Sequence, residues 1–241
     1  MNTTNDMVLS VDHVDLGYGS LQVIFDVSLH VKKGELVGLV GGNGSGKSTM
    51  LRAVSGMIQP WKGDIFFQGE SVVGLEPHQL AARKLAHVPM GRQLFTNLSV
   101  KENILLGSYL PSARVTRKEN YAKVMDIFPD LKKFESSAAG SLSGGQQQMV
   151  AIGRALMLEP ELLIMDEPSL GLSPLYVKQM MSAIRGLADM GFSVLLVEQN
   201  IKQVLQVSHR TYVLENGRLV LDGNSHELIG HPMIKKAYLG L

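Results

Sequence analysis

The eight residues "GGNGSGKS", Gly41 to Ser48, constrain this chain more than any other stretch. They fit the pattern G-x-x-x-x-G-K-[ST]. The apolar run "ELVGLV" precedes them and "TMLRAVSGM", with helical spacing, follows. A strand entering a glycine-rich turn that opens a helix is the setting in which such a turn wraps phosphate. Glycine lets backbone N–H groups curl inward with no Cβ in the way. Lys47 then reaches the β- and γ-phosphates as a point charge, and Ser48 offers its hydroxyl to Mg2+. The residues predicted to cradle the nucleotide are Gly41, Gly42, Asn43, Gly44, Ser45, Gly46, Lys47, Ser48 and Thr49.

A second stretch narrows the chemistry. "ELLIMDEP" reads as a buried strand that ends in Asp166 and Glu167. Asp166 at the strand end is placed to hold Mg2+, directly or through water. Glu167 points to the other side and is predicted to accept a proton from an attacking water. The chain contains no N-K-x-D for guanine recognition, which disfavours GTP.

About a hundred residues after the first cradle comes another glycine-rich helix start, in "SLSGGQQQMVAIGRAL", Ser141 to Leu156. Unpaired N–H groups and the helix dipole suit an anion there too. One nucleotide cannot use both starts if they lie in different parts of the fold. The economical expectation is that Ser143, Gly144, Gly145 and Gln146 serve a nucleotide bound to a second subunit. Two such chains facing each other would bury two nucleotides at their interface.

Organisation and composition agree with one domain spanning 1–241. Strand-like alternation fills the first third, and "GDIFFQGESV" reads as a strand pair around a glycine turn. From about 93 to 157 the texture is helical, an insertion in the middle of the chain. The strands "ELLIMDE" and "FSVLLVE" flank the helix "LYVKQMMSAIRGLADM", which implies a parallel sheet. Net charge is +1, so no basic face for nucleic acid is evident. There are no cysteines, which removes disulfides and thiolate chemistry and fits a reducing compartment. The polar start "MNTTNDMVLS" has no signal-peptide character, and no apolar run approaches the roughly 20 residues that span a bilayer. Arg114, Arg117 and Lys118 read as a solvated face, and Met180 and Met181 as core. His209, His226 and His231 lack metal spacing and read as surface residues.

"LSGGQ", Leu142 to Gln146, lying after a P-loop and before "LLIMDEP", resembles the signature of ABC ATPases. The resemblance implies an α/β fold: a RecA-like parallel-sheet core, an N-terminal antiparallel β subdomain and an inserted helical subdomain. It implies ATP hydrolysis with Mg2+ and gives Tyr18 in "LGYGS" the role of stacking on adenine. "HVPMGRQLF", "DEPSLGLSP", "LLVEQN", "YVLENGRLVLDG" and the terminal "KKAYLGL" extend the likeness to the second ATPase subunit of branched-chain amino acid importers. That implies partners: a second ATPase subunit (a paralogue or the chain itself), two transmembrane permease subunits and, indirectly, a solute-binding protein. It places the chain on the cytoplasmic face of the inner membrane. The surface receiving a permease helix would be drawn from about 90 to 110, with Met90, Phe95 and Leu98 as contacts or as core.

Three positions depart from the family pattern. Met90 stands where glutamine or glutamate is usual in the Q-loop, and a thioether is a poor partner for Mg2+. Gln93 lies three residues on as a substitute. Gln199 stands at the switch histidine position, able to donate a hydrogen bond to the γ-phosphate but not to carry a proton. Ser173 stands where aspartate is usual. Asp166, Glu167, Lys47 and Ser48 remain, so ATP hydrolysis is expected, either more slowly at this chain's P-loop than at an intact paralogue's or, if Met90 only packs against the neighbouring subunit, at a normal rate. A urea or amide importer, a lipid exporter, a non-hydrolysing regulator, and a soluble ATPase acting on nucleic acid or ribosomes remain as alternatives.

Overall fold

The computed structural model describes residues 6–235, and counts of elements refer to those residues. The final stretch "KKAYLGL" therefore lies, apart from Lys235, outside the described residues. The chain opens with β1 (Met7–Tyr18) and β2 (Leu21–Lys32), a hairpin turned at Gly19 with φ of 58°. Then come β3 (Leu36–Val40), α1 (Lys47–Val54), β4 (Lys62–Phe67), β5 (Glu70–Ser71), α2 (Pro77–Ala82) and β6 (Leu85–Val88). The helical segment follows as α3 (Val100–Leu105), α4 (Pro111–Val115), α5 (Arg117–Ile127) and α6 (Gly144–Leu156). β7 (Leu162–Asp166), α7 (Pro174–Asp189), β8 (Ser193–Glu198), α8 (Ile201–Val207), β9 (Arg210–Glu215) and β10 (Arg218–Asn224) complete the core. Two short helices, α9 (Ser225–Leu228) and α10 (Pro232–Ile234), follow.

Two sheets result. The first is antiparallel throughout, in the order β2-β1-β4-β5. The second runs β10-β9-β3-β8-β7-β6, parallel except for β10, which returns along β9 through Asn216-Gly217. Both turn residues have positive φ, 48° and 76°, as a tight hairpin turn of this kind demands. Every residue of β3, β7 and β8 is buried. Covered on both faces, these strands read as continuous apolar runs instead of alternating.

Their side chains still alternate in destination. Val37, Leu39, Leu162, Ile164, Leu195 and Val197 join the core beneath the antiparallel sheet and α1. Leu36, Val40, Leu163, Met165, Val194 and Leu196 join the core shared with α6, α7 and α8. The period-2 geometry of a strand sends neighbours to opposite faces. Each such side chain contributes about 1.5–3 kcal/mol through burial. Met180 and Met181 lie in the second core, and Arg114, Arg117 and Lys118 are exposed. Among the described residues no helix is long and apolar enough to cross a membrane.

Some local structure departs from the sequence reading. α2 and β6 have no counterpart in the sequence pattern; α2 is set by Pro77 and a capping box between Glu76 and Gln79. His209 is not a plain surface histidine. It is half-buried, and its Nδ1 accepts the Leu36 N–H at 2.9 Å, closing the start of β3. Trp61 leaves the loop before β4 and covers Gly17, where an added Cβ would meet its ring at 2.5 Å.

Candidate nucleotide-binding site

The glycine-rich turn leaves the end of β3, which β8 separates from β7 in the sheet, and Lys47 and Ser48 beyond it reach Glu167 and Asp166 at the end of β7. Gly46 is the residue before α1 and has φ of +106°. A side chain there would be strained and would meet Ile24 Cδ1 at 2.5 Å. Around Gly42 and Gly44, by contrast, a Cβ would meet nothing within 4 Å. The turn is anchored beneath and open above, as a phosphate cradle must be.

Lys47 is 4 % exposed. Its Nζ donates to the carbonyls of Gly41 (3.0 Å) and Gly42 (3.1 Å) and lies 3.4 Å from Glu167 Oε1. Ser48 Oγ donates to Asp166 Oδ1 at 3.2 Å. Burial pushes the Asp166 carboxyl up, against the opposing pull of the Ser48 hydrogen bond. A hydroxyl and a carboxylate are hard oxygen donors, suited to Mg2+, which takes few protein ligands and completes its shell with phosphate and water. Glu167 follows with φ of 45°, its N–H donating to the Val197 carbonyl at 2.9 Å. Asn43, Gly44, Gly46, Lys47, Ser48 and Thr49 line one pocket of about 290 Å³ with Glu167, Met90 and Val23.

Tyr18 ends β1 and is 40 % exposed as a residue. Arg52 on α1 donates to its hydroxyl at 3.1 Å, and the hydroxyl donates to Thr49 Oγ1 at 3.4 Å. Met90 lines the phosphate pocket, whereas Gln93 does not. Gln199 follows β8 and is exposed, outside that pocket. Ser173 precedes α7.

None of Ser143, Gly144, Gly145 and Gln146 lines the pocket of the chain's own P-loop. Ser143 caps α6: its Oγ accepts the Gln146 N–H at 3.4 Å, and Gln146 Oε1 accepts the Ser143 N–H at 2.9 Å. Helix geometry leaves the Gly144 and Gly145 N–H groups without intrahelical partners.

Residues that the sequence reading passed over also meet here. The Arg92 guanidinium lies against Gly144, 2.7 Å from where a Cβ would stand, and donates to Gln147 Oε1 at 3.2 Å. Arg154, near the other end of α6, donates to the Gln93 carbonyl at 2.9 Å and the Arg92 carbonyl at 3.3 Å. Glu198 is buried at the end of β8, and burial pushes its carboxyl up. The one sequence signal for it is a charged residue closing an apolar strand beside Gln199.

A separate groove of about 390 Å³ opens between α2, β6 and the helical segment. Phe95, Tyr109, Leu106 and Met57 stand exposed along it, and Arg154 and His87 also line it. His87 Nε2 is sealed off and has no hydrogen-bond partner, and burial lowers the ring to about 4. Of the predicted contacts, Phe95 lines the groove; Met90 and Leu98 do not.

An ATP-binding cassette has this pairing of a parallel core, an antiparallel β sheet and a helical segment bearing a second glycine-rich helix start. The chain belongs to the ABC transporter family, whose description matches residues 24–170, and is one of its ATPase subunits. It is 45 % identical to the high-affinity branched-chain amino acid transport ATP-binding protein BraG of Pseudomonas aeruginosa, over 97 % of this chain and 100 % of that one. It is 34 % identical to a probable branched-chain amino acid transport ATP-binding protein LivF of Archaeoglobus fulgidus, over 95 % of this chain and 97 % of that one. A solved ATP-binding cassette of an ABC transporter in its ADP conformation superposes with a TM-score of 0.84. It shares 26 % identity and covers 98 % of this chain and 99 % of its own.

Proposed function

We propose that this chain is the energy-coupling ATPase subunit of an importer for branched-chain or other hydrophobic amino acids. The observation that carries the ATPase is the meeting of Lys47, Ser48 and Glu167 around one pocket, with Asp166 hydrogen-bonded to Ser48. The amino acid follows from the nearly full-length likeness to BraG.

The P-loop backbone and Lys47 hold the phosphates. Lys47 exchanges its two carbonyls and Glu167 for phosphate oxygens, which releases Glu167 to accept a proton from the attacking water. Ser48 and Asp166 would hold Mg2+, which screens the phosphate charge when bound. Tyr18 offers its exposed ring to adenine. Ser143, Gly144 and Gly145 cap the nucleotide of a partner ATPase subunit, so that two chains close on two ATP molecules. The groove with Phe95 and Tyr109 receives a short helix of each permease subunit, and the permeases hold the chain at the cytoplasmic face of the membrane.

The test is Glu167→Gln. The variant is expected to bind Mg-ATP, to lose hydrolysis by about a hundredfold or more, and to accumulate as a closed pair in size-exclusion chromatography. Hydrolysis at the parent rate would refute the assignment. Import of labelled leucine by vesicles carrying the complete complex tests the solute; transport of urea or export of lipid would redirect it.

A further inference from the structure

We propose that Glu198 is a positioning residue of the hydrolytic site, a buried carboxylate that staples the loop carrying Glu167 to the strand end carrying Gln199. This rests on the reading of the P-loop pocket as an ATPase site.

Glu198 is 3 % exposed and closes β8, a strand with no exposed residue. Taking a carboxylate out of water is costly unless donors or a cation meet it. Among the described residues it forms no ion pair with a lysine or arginine, and the neighbouring Glu167 charge pushes its carboxyl further up. The Ser169 side chain and the backbone amides of Ser169 and Gln199 compensate it instead. Oε1 accepts the Ser169 N–H at 2.9 Å, and Oε2 accepts the Gln199 N–H at 3.3 Å.

The two donors belong to the two segments that flank the chemistry. Ser169 lies two residues after Glu167, and Gln199 occupies the switch position. Glu167 itself donates its N–H to Val197, next to Glu198. The loop is thus pinned to β8 on both sides of the Glu167 side chain. This matters because Glu167 holds φ of 45°, a conformation that non-glycine residues keep only when neighbours impose it. Slackening the second pin would let the carboxylate drift from its water. Only a carboxylate can serve both donors: glutamine has one acceptor oxygen and would turn its NH2 toward an N–H.

The experiment places Glu198→Gln and Glu198→Leu in the full chain. Hydrolysis is measured on the complex recovered with its membrane subunits, and amide hydrogen exchange on the chain alone. The expected result is a fall in kcat of about tenfold or more with KM for ATP within about twofold of the parent, and faster exchange at Ser169 and Gln199. A kcat equal to the parent's overturns the proposal. So does a matching change in KM and kcat, which marks general loosening of the pocket. If neither variant folds, the parent decides: fast exchange at both amides overturns the staple, and exchange as slow as that of the β8 amides supports it. A parent complex without ATPase activity refutes the ATPase reading instead, and the exchange result then judges the staple by itself.

Discussion

Lys47 is neutralised from within its own chain, by two carbonyls and the Glu167 carboxylate. Any phosphate must displace these partners. Glu167→Gln removes the charged one, so the variant is expected to bind ADP roughly tenfold more tightly, the equivalent of about 1.4 kcal/mol. Titration calorimetry with ADP reads this without hydrolysis. His87 supplies a pH test. Its ring is neutral in the fold, with its protonation lowered to about 4, whereas the unfolded chain titrates near 6.5. Its contribution to stability is complete above pH 6.5 and is lost as the pH falls toward 4. By about pH 5 the loss amounts to about 2 kcal/mol, and His87→Leu should escape it. Melting temperatures of parent and variant at pH 7.5 and 5 will show the narrower drop in the variant.

Among the elements, α6 carries the most consequence per residue. Ser143 caps it and Gly144 and Gly145 open it. Ser143→Ala should cost about 1 kcal/mol, lowering Tm by about 2–4 °C. ATPase of the assembled pair should fall further than that loss of stability explains if, as proposed, the serine caps a partner's nucleotide. The long elements were legible. β3, β7 and β8 are unbroken apolar runs ended by a glycine turn or by carboxylates, and α7 has 16 residues of helical spacing. α2 and β6, with 6 and 4 residues, are too short for periodicity to declare them. The cradle residues were legible because one motif holds them contiguously. Arg92 and Glu198 were not, because their meaning lies in neighbours far along the chain: Arg92 against Gly144, Glu198 against Ser169. The role of His209 is hidden in the sequence for the same reason, since its partner is Leu36.

At the scale of the molecule, the P-loop pocket and the groove proposed to receive a permease helix are separate surfaces, with the loop 89–93 between them. Gly91, Arg92 and Gln93 all have positive φ, and Arg92 of the loop and Arg154 of α6 tie the two together. The groove should therefore be separable from the pocket. Phe95→Glu is expected to abolish recovery of the permease subunits from detergent extracts, while Arg114→Glu, on the exposed face of α4, is expected to retain them. Immunoblots of the extracts decide between these outcomes. The fold also comes with its own optical gauge. The chain has a single tryptophan, and Trp61 packs on Gly17, the residue before Tyr18. Its emission can be followed without a label or an engineered dye, and a change on adding ATP that Tyr18→Ala abolishes would time the arrival of each adenine ring in a stopped-flow cell.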